Sequence, residues 1–346
     1  MDIMAVTLKT IAEKAQVSTM AVSSVLNNSN NTRVSAEKRE RIKRIAADLG
    51  YFPNQVARIL GGGSSKLIGV LTDSYIAHGY YRLIKSIEHE VSRNGYSVML
   101  AEEHDRVDLL LRGYETFRTY GVDGIICISH NYPSEETHVY QSLSKDPRVV
   151  FFDKPNSDMA SFSYVEPDRA EACRLAATYF QEHGRKRLAF LSLKTESLNV
   201  WERRRGFVET CEKADCFHQI FEAAPAMEEE IDLVIDEVNR FIEQCLIPHR
   251  IDAVVGVTDI YSAFLIRELN ARKIRVPEEV AVIGHGNDLF TRMITPGLAS
   301  VDDLQEEQGK EASKLLFRLI KSNAVAPAGL ETRISPRLIV RPSAGN

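Results

Sequence analysis

The residues best suited to covalent or metal chemistry are scattered along this chain. Its nine histidines show no His-x-x-x-His or His-Glu-x-x-His spacing, and its five cysteines form no Cys-x-x-Cys pair. No Gly-x-Ser-x-Gly string marks a nucleophile. The cysteines are therefore interpreted as free thiols in a reducing compartment, and the sequence predicts no enzyme active site, no metal site and no cofactor.

A glycine-rich stretch, Gly61–Lys66, has the composition of a phosphate-binding loop but not its order. A P-loop ends in Gly-Lys-Ser/Thr, and a dinucleotide-binding loop follows a strand. Here Lys66 follows Ser65, and the first predicted strand comes after the glycines. The segment is predicted to be a flexible linker.

Residues 19–27 combine hydrogen-bonding side chains with a complete absence of charge. On a helix, Thr19, Ser23 and Asn27 would form one outward row and Met20 and Ser24 the next, with Ala21 adjacent to Met20 in the sequence. Hydroxyl and amide groups can pair with the edges of DNA bases, and the methionine and alanine can touch thymine methyl groups. By composition alone, an ordinary polar surface helix fits these residues as well.

Three short helices would position these side chains. Apolar spacing predicts helices over Leu8–Ala15 and Thr19–Leu26, joined by a turn that ends at Ser18, a good N-cap. A third helix is expected from its cap Ser35 to its stop Gly50. Two helices joined by a three-residue turn form a helix-turn-helix unit, whose second helix enters the major groove of DNA.

The net charge of −5 is unevenly distributed. The first 66 residues contain ten Lys and Arg residues against five acids, a net charge of +5, so the remaining residues carry −10. A basic head on an acidic body indicates that only the head meets a polyanion.

Residues Thr7–Leu60 resemble the head of the lactose-repressor (LacI/GalR) family of bacterial transcription regulators. The strings that carry the resemblance are TLKTIAEKAQVS, AVSSVLN, RVS and LGYFPNQVARIL, and matched segments continue to Arg341. The resemblance implies a hinge helix over residues 54–60, followed by the linker. Leu60, at the end of this helix, would insert between bases in the minor groove. The DNA-binding residues it implies are Thr7, Thr19, Met20, Ala21, Ser23, Ser24, Asn27, Ser35, Tyr51, Asn54, Ala57 and Leu60.

Two residues of the head depart from the family pattern. Gln16 stands where the family usually has a glycine at a turn position that favours positive φ, at a cost of about 1 kcal/mol or less. Ser24 stands where the family usually has an arginine. Because serine cannot form the two hydrogen bonds by which arginine grips guanine, we expect a different half-site preference at that base pair.

From Leu67 onward, short apolar runs alternate with amphipathic stretches in two sets, which predicts two lobes built on parallel sheets. The predicted fold is thus an all-α helix-turn-helix head with a hinge helix, followed by an α/β two-lobed effector domain. The resemblance implies that this domain is of the periplasmic-binding-protein-like type I class, with three crossings between lobes. The predicted domains are residues 6–53, 54–66 and 67–346, with lobe 1 at about 67–165 and 302–326 and lobe 2 at about 166–301 and 327–346.

Ligands of such folds bind at the carboxyl ends of the strands, here in the cleft between the lobes. Arg203 matches the effector-binding arginine in the family's Arg-x-x-Gly-Phe string, while the aspartates could accept sugar hydroxyls and the aromatic rings could stack on a sugar. Core packing explains each aromatic residue equally well. The predicted effector-binding residues are Asp73, Tyr75, Tyr80, Phe152, Asp153, Trp201, Arg203, Thr258, Asp259 and Asn287.

The cleft also departs from the family pattern. The family usually has Asn-Asp where this chain has Thr258-Asp259. It also usually has a sugar-binding aspartate where this chain has Gly286, although Asn287 or Asp288 could bind the sugar in its place. Losing one such acceptor removes about 1–3 kcal/mol of hydrogen bonding to a hydroxylated ligand. Either the effector is not a common hexose, or the response to ligand is weakened.

The sequence therefore predicts a cytoplasmic regulator, with repression the expected mode. One head reads too few base pairs, so a homodimer on a pseudo-palindromic operator in double-stranded DNA is expected. A small-molecule effector, a sugar or related metabolite, would control it, and no membrane segment is predicted. The alternative, a sugar receptor without a DNA function, fits the body but does not explain the head.

Overall fold

The computed structural model describes residues 6–26, 34–51, 63–72, 78–103, 106–128, 143, 146–154, 162–195, 197–225, 230–322 and 329–345. The chain forms two compact units, of which one ends at Ser65 and the other begins at Lys66. We call them the head and the body. Among the described helices, none is long and apolar enough to cross a membrane.

The head is a bundle of three helices, α1 (Leu8–Ala15), α2 (Thr19–Leu26) and α3 (Ala36–Asp48). The first two have the predicted bounds. Each helix turns its apolar stripe inward, and the buried core consists of Ile11, Ala12, Ala15, Val22, Val25, Ile42 and Ala46. The helix-turn-helix arrangement predicted from the spacing is therefore confirmed.

The turn between α1 and α2 has the expected backbone. Gln16 adopts the left-handed conformation with φ 53° and ψ 48°, the region that a glycine enters without strain. The backbone N–H of Val17 donates to Ala12 O at 3.1 Å, and the Ser18 hydroxyl accepts from the N–H of Ala21 at 3.2 Å. Ser18 thus caps α2, as the sequence predicts.

The body contains two sheets, whose strands are numbered along the chain. The first sheet has the order β11-β5-β4-β3-β1-β2, and every neighbouring pair is parallel. Its strands are β1 (Leu67–Thr72), β2 (Ser97–Glu102), β3 (Gly124–Cys127), β4 (Val149–Phe152), β5 (Ser163–Pro167) and β11 (Glu331–Ile334).

The second sheet has the order β12-β10-β9-β8-β6-β7 and is parallel except for the β10–β12 pair. Its strands are β6 (Arg187–Leu193), β7 (Phe217–Ala223), β8 (Ala253–Gly256), β9 (Ala281–His285), β10 (Ala299–Asp302) and β12 (Arg337–Ile339). The two parallel sheets that the alternating pattern predicts are confirmed.

Helices cover both faces of each sheet. Those of the first lobe are α4 (His78–Arg93), α5 (Val107–Thr119) and α10 (Gln305–Ser322), and those of the second are α6 (Arg169–Glu182), α7 (Leu198–Lys213), α8 (Ile231–Phe241) and α9 (Asp259–Ala271). Strand β6 illustrates the layering, because Leu188 and Phe190 enter one core of the second lobe while Ala189 and Leu191 enter the other.

The chain passes between the lobes after β5, after β10 and after β11. Helix α10 packs on α4 and on the first sheet, so the prediction that this helix returns to the first lobe is confirmed. The predicted lobe boundary at residue 327 is too early. Strand β11 still pairs with β5, because its main chain completes the open edge of the first sheet, and the chain reaches the second sheet only after Ile334.

Candidate functional site

The outer face of α2 presents the uncharged side chains identified from the sequence. Thr19 and Met20 are exposed, Met20 by 81%, and Ala21, Ser23 and Ser24 are half-buried. The opposite face of α2 is fixed by Val22 and Val25 in the core of the head. The helix can therefore offer a methyl-bearing and hydroxyl-bearing surface to a groove without losing its packing.

Two further predicted residues lie at helix N-termini. Thr7 caps α1, accepting from the N–H of Thr10 at 3.3 Å, and Ser35 caps α3, accepting from the N–H of Lys38 at 3.4 Å. Both are exposed, where free backbone N–H groups and the helix dipole favour a phosphate. Tyr51 is half-buried against the core of the head.

The remaining predicted DNA-binding residues, Asn27, Asn54, Ala57 and Leu60, lie outside the described residues. The positive charge of the described head lies mainly on α3, where the exposed cations are Lys38, Arg41, Lys43 and Arg44. The cations that could attract DNA thus lie mainly on α3, and the uncharged face that could contact its bases lies on α2.

In the body, polar side chains and the main-chain carbonyl of Val257 lie at the carboxyl edge of the second sheet. Ser192 lies near the end of β6, Val257 directly follows β8, His285 ends β9 and Asp303 directly follows β10. These four strands are neighbours in the sheet, so the residues form one row. This edge is where open α/β sheets bind ligands.

Arg203 lies across that row. From the second turn of α7, its Nη1 donates to Val257 O at 3.2 Å and its Nη2 donates to Asp303 Oδ2 at 3.4 Å. Gly206 permits this placement, because a Cβ there would stand 2.0 Å from the Ala170 carbonyl oxygen of α6. The Arg-x-x-Gly spacing thus combines a guanidinium with the close helix crossing that places it.

His285 and Asp303 form a buried pair next to Arg203, with His285 Nε2 and Asp303 Oδ2 2.5 Å apart. Burial, and then the charge of Arg203, lower the pKa of His285. Burial opposes ionisation of Asp303, but His285, Arg203 and Arg169 together hold the pKa of its carboxyl well below its usual range. At neutral pH the pair is therefore a neutral imidazole and a carboxylate.

Asp153 joins the two lobes. It follows β4 in the first lobe, with φ 65°, and receives both Nη groups of Arg169, the first residue of α6, at 2.5 and 2.6 Å. Asn199 of α7 adds a bond from Nδ2 to Asp153 Oδ2 at 3.2 Å. Both oxygens of the predicted effector-binding carboxylate are therefore engaged by side chains of the second lobe.

A second contact between the lobes uses Gly286, the position where the family usually has an aspartate. Arg82 of α4 donates to the Gly286 carbonyl, and its Nη1 lies 3.9 Å from Asp302 Oδ1. Gly286 has φ 127°, which a residue with a side chain rarely adopts. The glycine thus contributes a backbone acceptor in place of a side chain.

Asn287 is tied into the same network. Its Nδ2 donates to Asp302 Oδ2 at 3.0 Å, and its Oδ1 accepts from Arg341 Nη2 at 2.5 Å. Its side chain is therefore held beside the crossover that follows β10.

Thr258 and Asp259 serve the interior of the second lobe. The Thr258 hydroxyl caps α9, accepting from the N–H of Tyr261 at 3.4 Å. Asp259 is fully buried and accepts from Ser300 Oγ at 2.7 Å and from the N–H of Asp288 at 2.9 Å. Burial raises the pKa of Asp259 to about 7, although the bonds from Ser300 and Asp288 oppose this shift.

The predicted aromatic residues occupy different environments. Phe152 is buried in the core of the first lobe, and Tyr80 is half-buried against that core. Trp201 is 54% exposed, with the Arg205 guanidinium 5.6 Å from its ring centre. Asp73 and Tyr75 lie outside the described residues. Trp201 is thus the only described aromatic of this set that is free to meet a ligand with most of its ring.

Sequence reasoning missed four residues of this site, Arg169, Asn199, His285 and Asp303. His285 and Asp303 were detectable in principle, since each lies at the end of a strand, where side chains reach the ligand edge. No group of His, Cys, Asp and Glu within the described residues could hold a metal ion.

Two family profiles match the chain. Residues 7–54 match the bacterial regulatory proteins of the lacI family, and residues 161–344, more than half of the chain, match the periplasmic binding protein-like domain. The chain belongs to the lacI family of bacterial regulatory proteins. It is a DNA-binding transcriptional regulator with a periplasmic-binding-protein-like body.

Relatives in this family span nearly the whole chain. The ribose operon repressor of Bacillus subtilis (strain 168) is 28% identical over 329 residues, which cover 95% of this chain and 96% of that protein. The transcriptional repressor PurR of Pasteurella multocida (strain Pm70) is 25% identical over 344 residues, which cover 97% of this chain and 98% of that protein.

Solved structures of transcriptional regulators have the same fold. The lac repressor dimer bound to operator and the anti-inducer ONPF matches with a TM-score of 0.85 and 21% identity, over 98% of this chain and 99% of that one. The complex of the transcriptional regulator CelR with cellobiose matches with a TM-score of 0.69 and 23% identity, over 98% and 99%.

Proposed function

We propose that this protein is a dimeric transcriptional repressor, which binds operator DNA through its head under the control of a small molecule bound in its body. The observation that carries this proposal is the presence, in one chain, of an uncharged reading helix on a basic head and a polar row at the carboxyl edge of a parallel sheet. The relatives named above are repressors, and the lac repressor structure is a dimer on its operator.

The head would read DNA through α2. Met20, the most exposed large apolar side chain of the head, would contact a thymine methyl, and Ser24 would replace the two-bond grip of an arginine on guanine. The full set proposed for DNA contact is Thr7, Thr19, Met20, Ala21, Ser23, Ser24, Asn27, Ser35, Tyr51, Asn54, Ala57 and Leu60.

The body would bind a sugar or a related metabolite at the carboxyl edge of the sheets. Arg203, whose guanidinium spans β8 to β10, is its central residue, and Asp153 is linked to the same helix through Asn199. Trp201, on α7, is proposed as a ligand contact because its ring is exposed. The CelR structure contains cellobiose, a ligand of this chemical class. We propose that the protein acts in the cytosol by binding DNA and a small molecule, as expected of a transcriptional regulator.

Ligand and DNA would be coupled through the contacts between the lobes. Arg82 to Gly286 and Arg169 to Asp153 each join one lobe to the other, so a ligand that favours one lobe arrangement also favours one arrangement of the paired heads. Such coupling is typically 1–3 kcal/mol.

Selection from a random DNA pool, followed by fluorescence anisotropy at two salt concentrations, tests the proposal. We expect a pseudo-palindrome that differs from the usual family half-site at the base pair facing Ser24, with affinity that falls steeply as salt rises. Ser24→Arg should move the preference towards guanine, whereas Lys213→Ala in the body should leave it unchanged. No enriched sequence at either salt concentration would instead favour a binding protein without a DNA function.

A further inference from the structure

Several buried polar atoms at the carboxyl edge of the second sheet and at the crossovers after β5 and β10 have no hydrogen-bond partner within the described residues. They are Arg169 Nε, Ser192 Oγ, Arg203 Nε, Asp303 Oδ1 and Gln305 Oε1. A buried polar group without a partner costs about 1–3 kcal/mol, and such groups are rare unless a ligand satisfies them. These atoms therefore indicate the chemistry of a ligand that would satisfy them.

The donors among them belong to permanently charged groups. Arg169 and Arg203 are 13% and 15% exposed in their side chains, and each has one free Nε–H while its Nη groups are held by the protein. The two guanidiniums are neighbours, because Arg169 and Asn199, which lies one turn before Arg203 on α7, both donate to Asp153, and both arginines lower the pKa of Asp303. Two N–H donors on neighbouring cations suit an anion with two oxygens.

The acceptors describe a different part of the ligand. Asp303 Oδ1 has a free lone pair in a side chain that is 9% exposed, and Gln305 Oε1 and Ser192 Oγ add two further polar atoms. A carboxylate oxygen accepts only from a donor, such as a hydroxyl group. The ligand must therefore combine a negative charge with hydroxyl groups.

We infer that the effector is a hydroxylated carboxylic acid, whose carboxylate accepts from Arg169 and Arg203 and whose hydroxyl groups donate to Asp303. The inference rests on the proposed function, since it names the ligand class of the same cleft. A neutral sugar fits less well, because both oxygens of Asp153 are filled, Gly286 has no side chain and Asp259 bonds inside the lobe.

The charge balance also selects a carboxylate over a phosphate monoester. The two guanidiniums are balanced by Asp153 and Asp303, so a bound carboxylate adds one negative charge to this group of residues. A phosphate monoester would add close to two at neutral pH, so it should bind less favourably here than a carboxylate.

Calorimetric titration of the full-length protein with matched ligand pairs tests the inference. The probes are D-gluconate, D-galactonate and D-ribonate against D-glucose, D-galactose and D-ribose, with glucose 6-phosphate as the phosphate probe. We expect at least one acid to bind about tenfold or more tightly than its parent sugar, the contribution of one charge-assisted hydrogen bond. Arg203→Met should remove that preference, and the matched control Arg204→Met, on the exposed side of α7, should keep it.

The outcomes separate the inference from the proposed function. The inference is overturned if a sugar or glucose 6-phosphate binds more tightly than every acid, or if no acid binds at millimolar concentration. In either case, the proposed function still holds if the same sample binds operator DNA. Loss of operator binding overturns the proposed function instead. Because the preference is measured on the unmodified protein, the test holds even if Arg203→Met fails to fold.

Discussion

The ion pair between Asp153 and Arg169 should behave as a buried pair that holds the two lobes together. Its side chains are 12% and 13% exposed, and both Nη groups of the arginine bond to the carboxylate. Arg169→Met removes the cation but keeps much of the apolar stem. The carboxylate then remains buried with the single bond from Asn199 Nδ2 at 3.2 Å.

The expected cost follows from that geometry. Removing one partner of a buried pair costs about 3–5 kcal/mol, because a charge is left without compensation. Since Asn199 still donates and some water can reach the site, we expect Arg169→Met to lower the free energy of unfolding by about 3 kcal/mol. In the double variant Asp153→Asn/Arg169→Met the stranded charge is gone, so about 2 kcal/mol of that loss should be recovered.

Urea unfolding followed by Trp201 fluorescence measures these values. Trp201 is the only tryptophan of the chain and lies on α7 of the body, so its signal reports the body alone. The matched control is the exposed pair of Arg204 and Glu222, 2.7 Å apart and 45–46% exposed, where Arg204→Met should cost less than about 1 kcal/mol. Equal costs for Arg169→Met and Arg204→Met, or additive effects in the double variant, would refute the reasoning.

Three further predictions concern single residues. Because the folded-state pKa of Asp259 is raised to about 7 from 3.8, its contribution to stability is present at acid pH and is lost as the pH rises between these values. In urea unfolding measured against pH, Asp259→Asn should therefore flatten the curve over this range, and an unchanged slope would contradict the assignment. Gly206→Ala should destabilise the body by about 1–3 kcal/mol in the Trp201 unfolding assay, since its Cβ would stand 2.0 Å from Ala170 O; wild-type stability would show that α7 moves freely. Met20→Ala should lower operator affinity in anisotropy while thermal unfolding of the head changes by less than about 0.5 kcal/mol, and a stability loss instead would make Met20 a packing residue.

The described helices of the head could be predicted from the sequence because their determinants are local. The caps Ser18 and Ser35 lie three residues before the N–H groups they accept from, and the apolar stripes repeat within one helix. The left-handed conformation of Gln16 also follows from its place after the last turn of α1. None of these features requires knowledge of distant contacts.

Strands at the margins of the body were not predicted, because their composition does not identify them. Strand β11 is Glu-Thr-Arg-Ile, and only Ile334 is buried, since the strand forms an edge of the first sheet. Strand β10 has only four residues, although all of them are buried. Strand β7 lies at the edge of the second sheet and has one fully buried residue, Ala223. Pairing with a neighbour, rather than an apolar run, makes these segments strands.

Apart from Arg203, which the family string identified, the described site was predictable only as a set of strand ends. Asp153 was expected to meet a ligand because it follows a strand, and the structure places it beside Arg169, which begins a helix of the other lobe. His285 and Asp303 are 18 residues apart and come together because β9 and β10 are neighbours. The spacing of residues along the sequence does not reveal such pairings between lobes or between neighbouring strands.

The orientation of Arg169 bears on the direction of control in the proposed function. Its Nη groups face Asp153 of the first lobe, while its Nε–H is free for a ligand. A carboxylate bound at Nε adds a partner to this arginine without displacing Asp153, so it favours the lobe arrangement of this structure. A ligand that instead bound Asp153 through its hydroxyl groups would have to break the ion pair and would weaken this contact between the lobes. Under the proposed function, the effect of an effector on operator affinity would therefore depend on whether it binds beside the Asp153–Arg169 pair or replaces it.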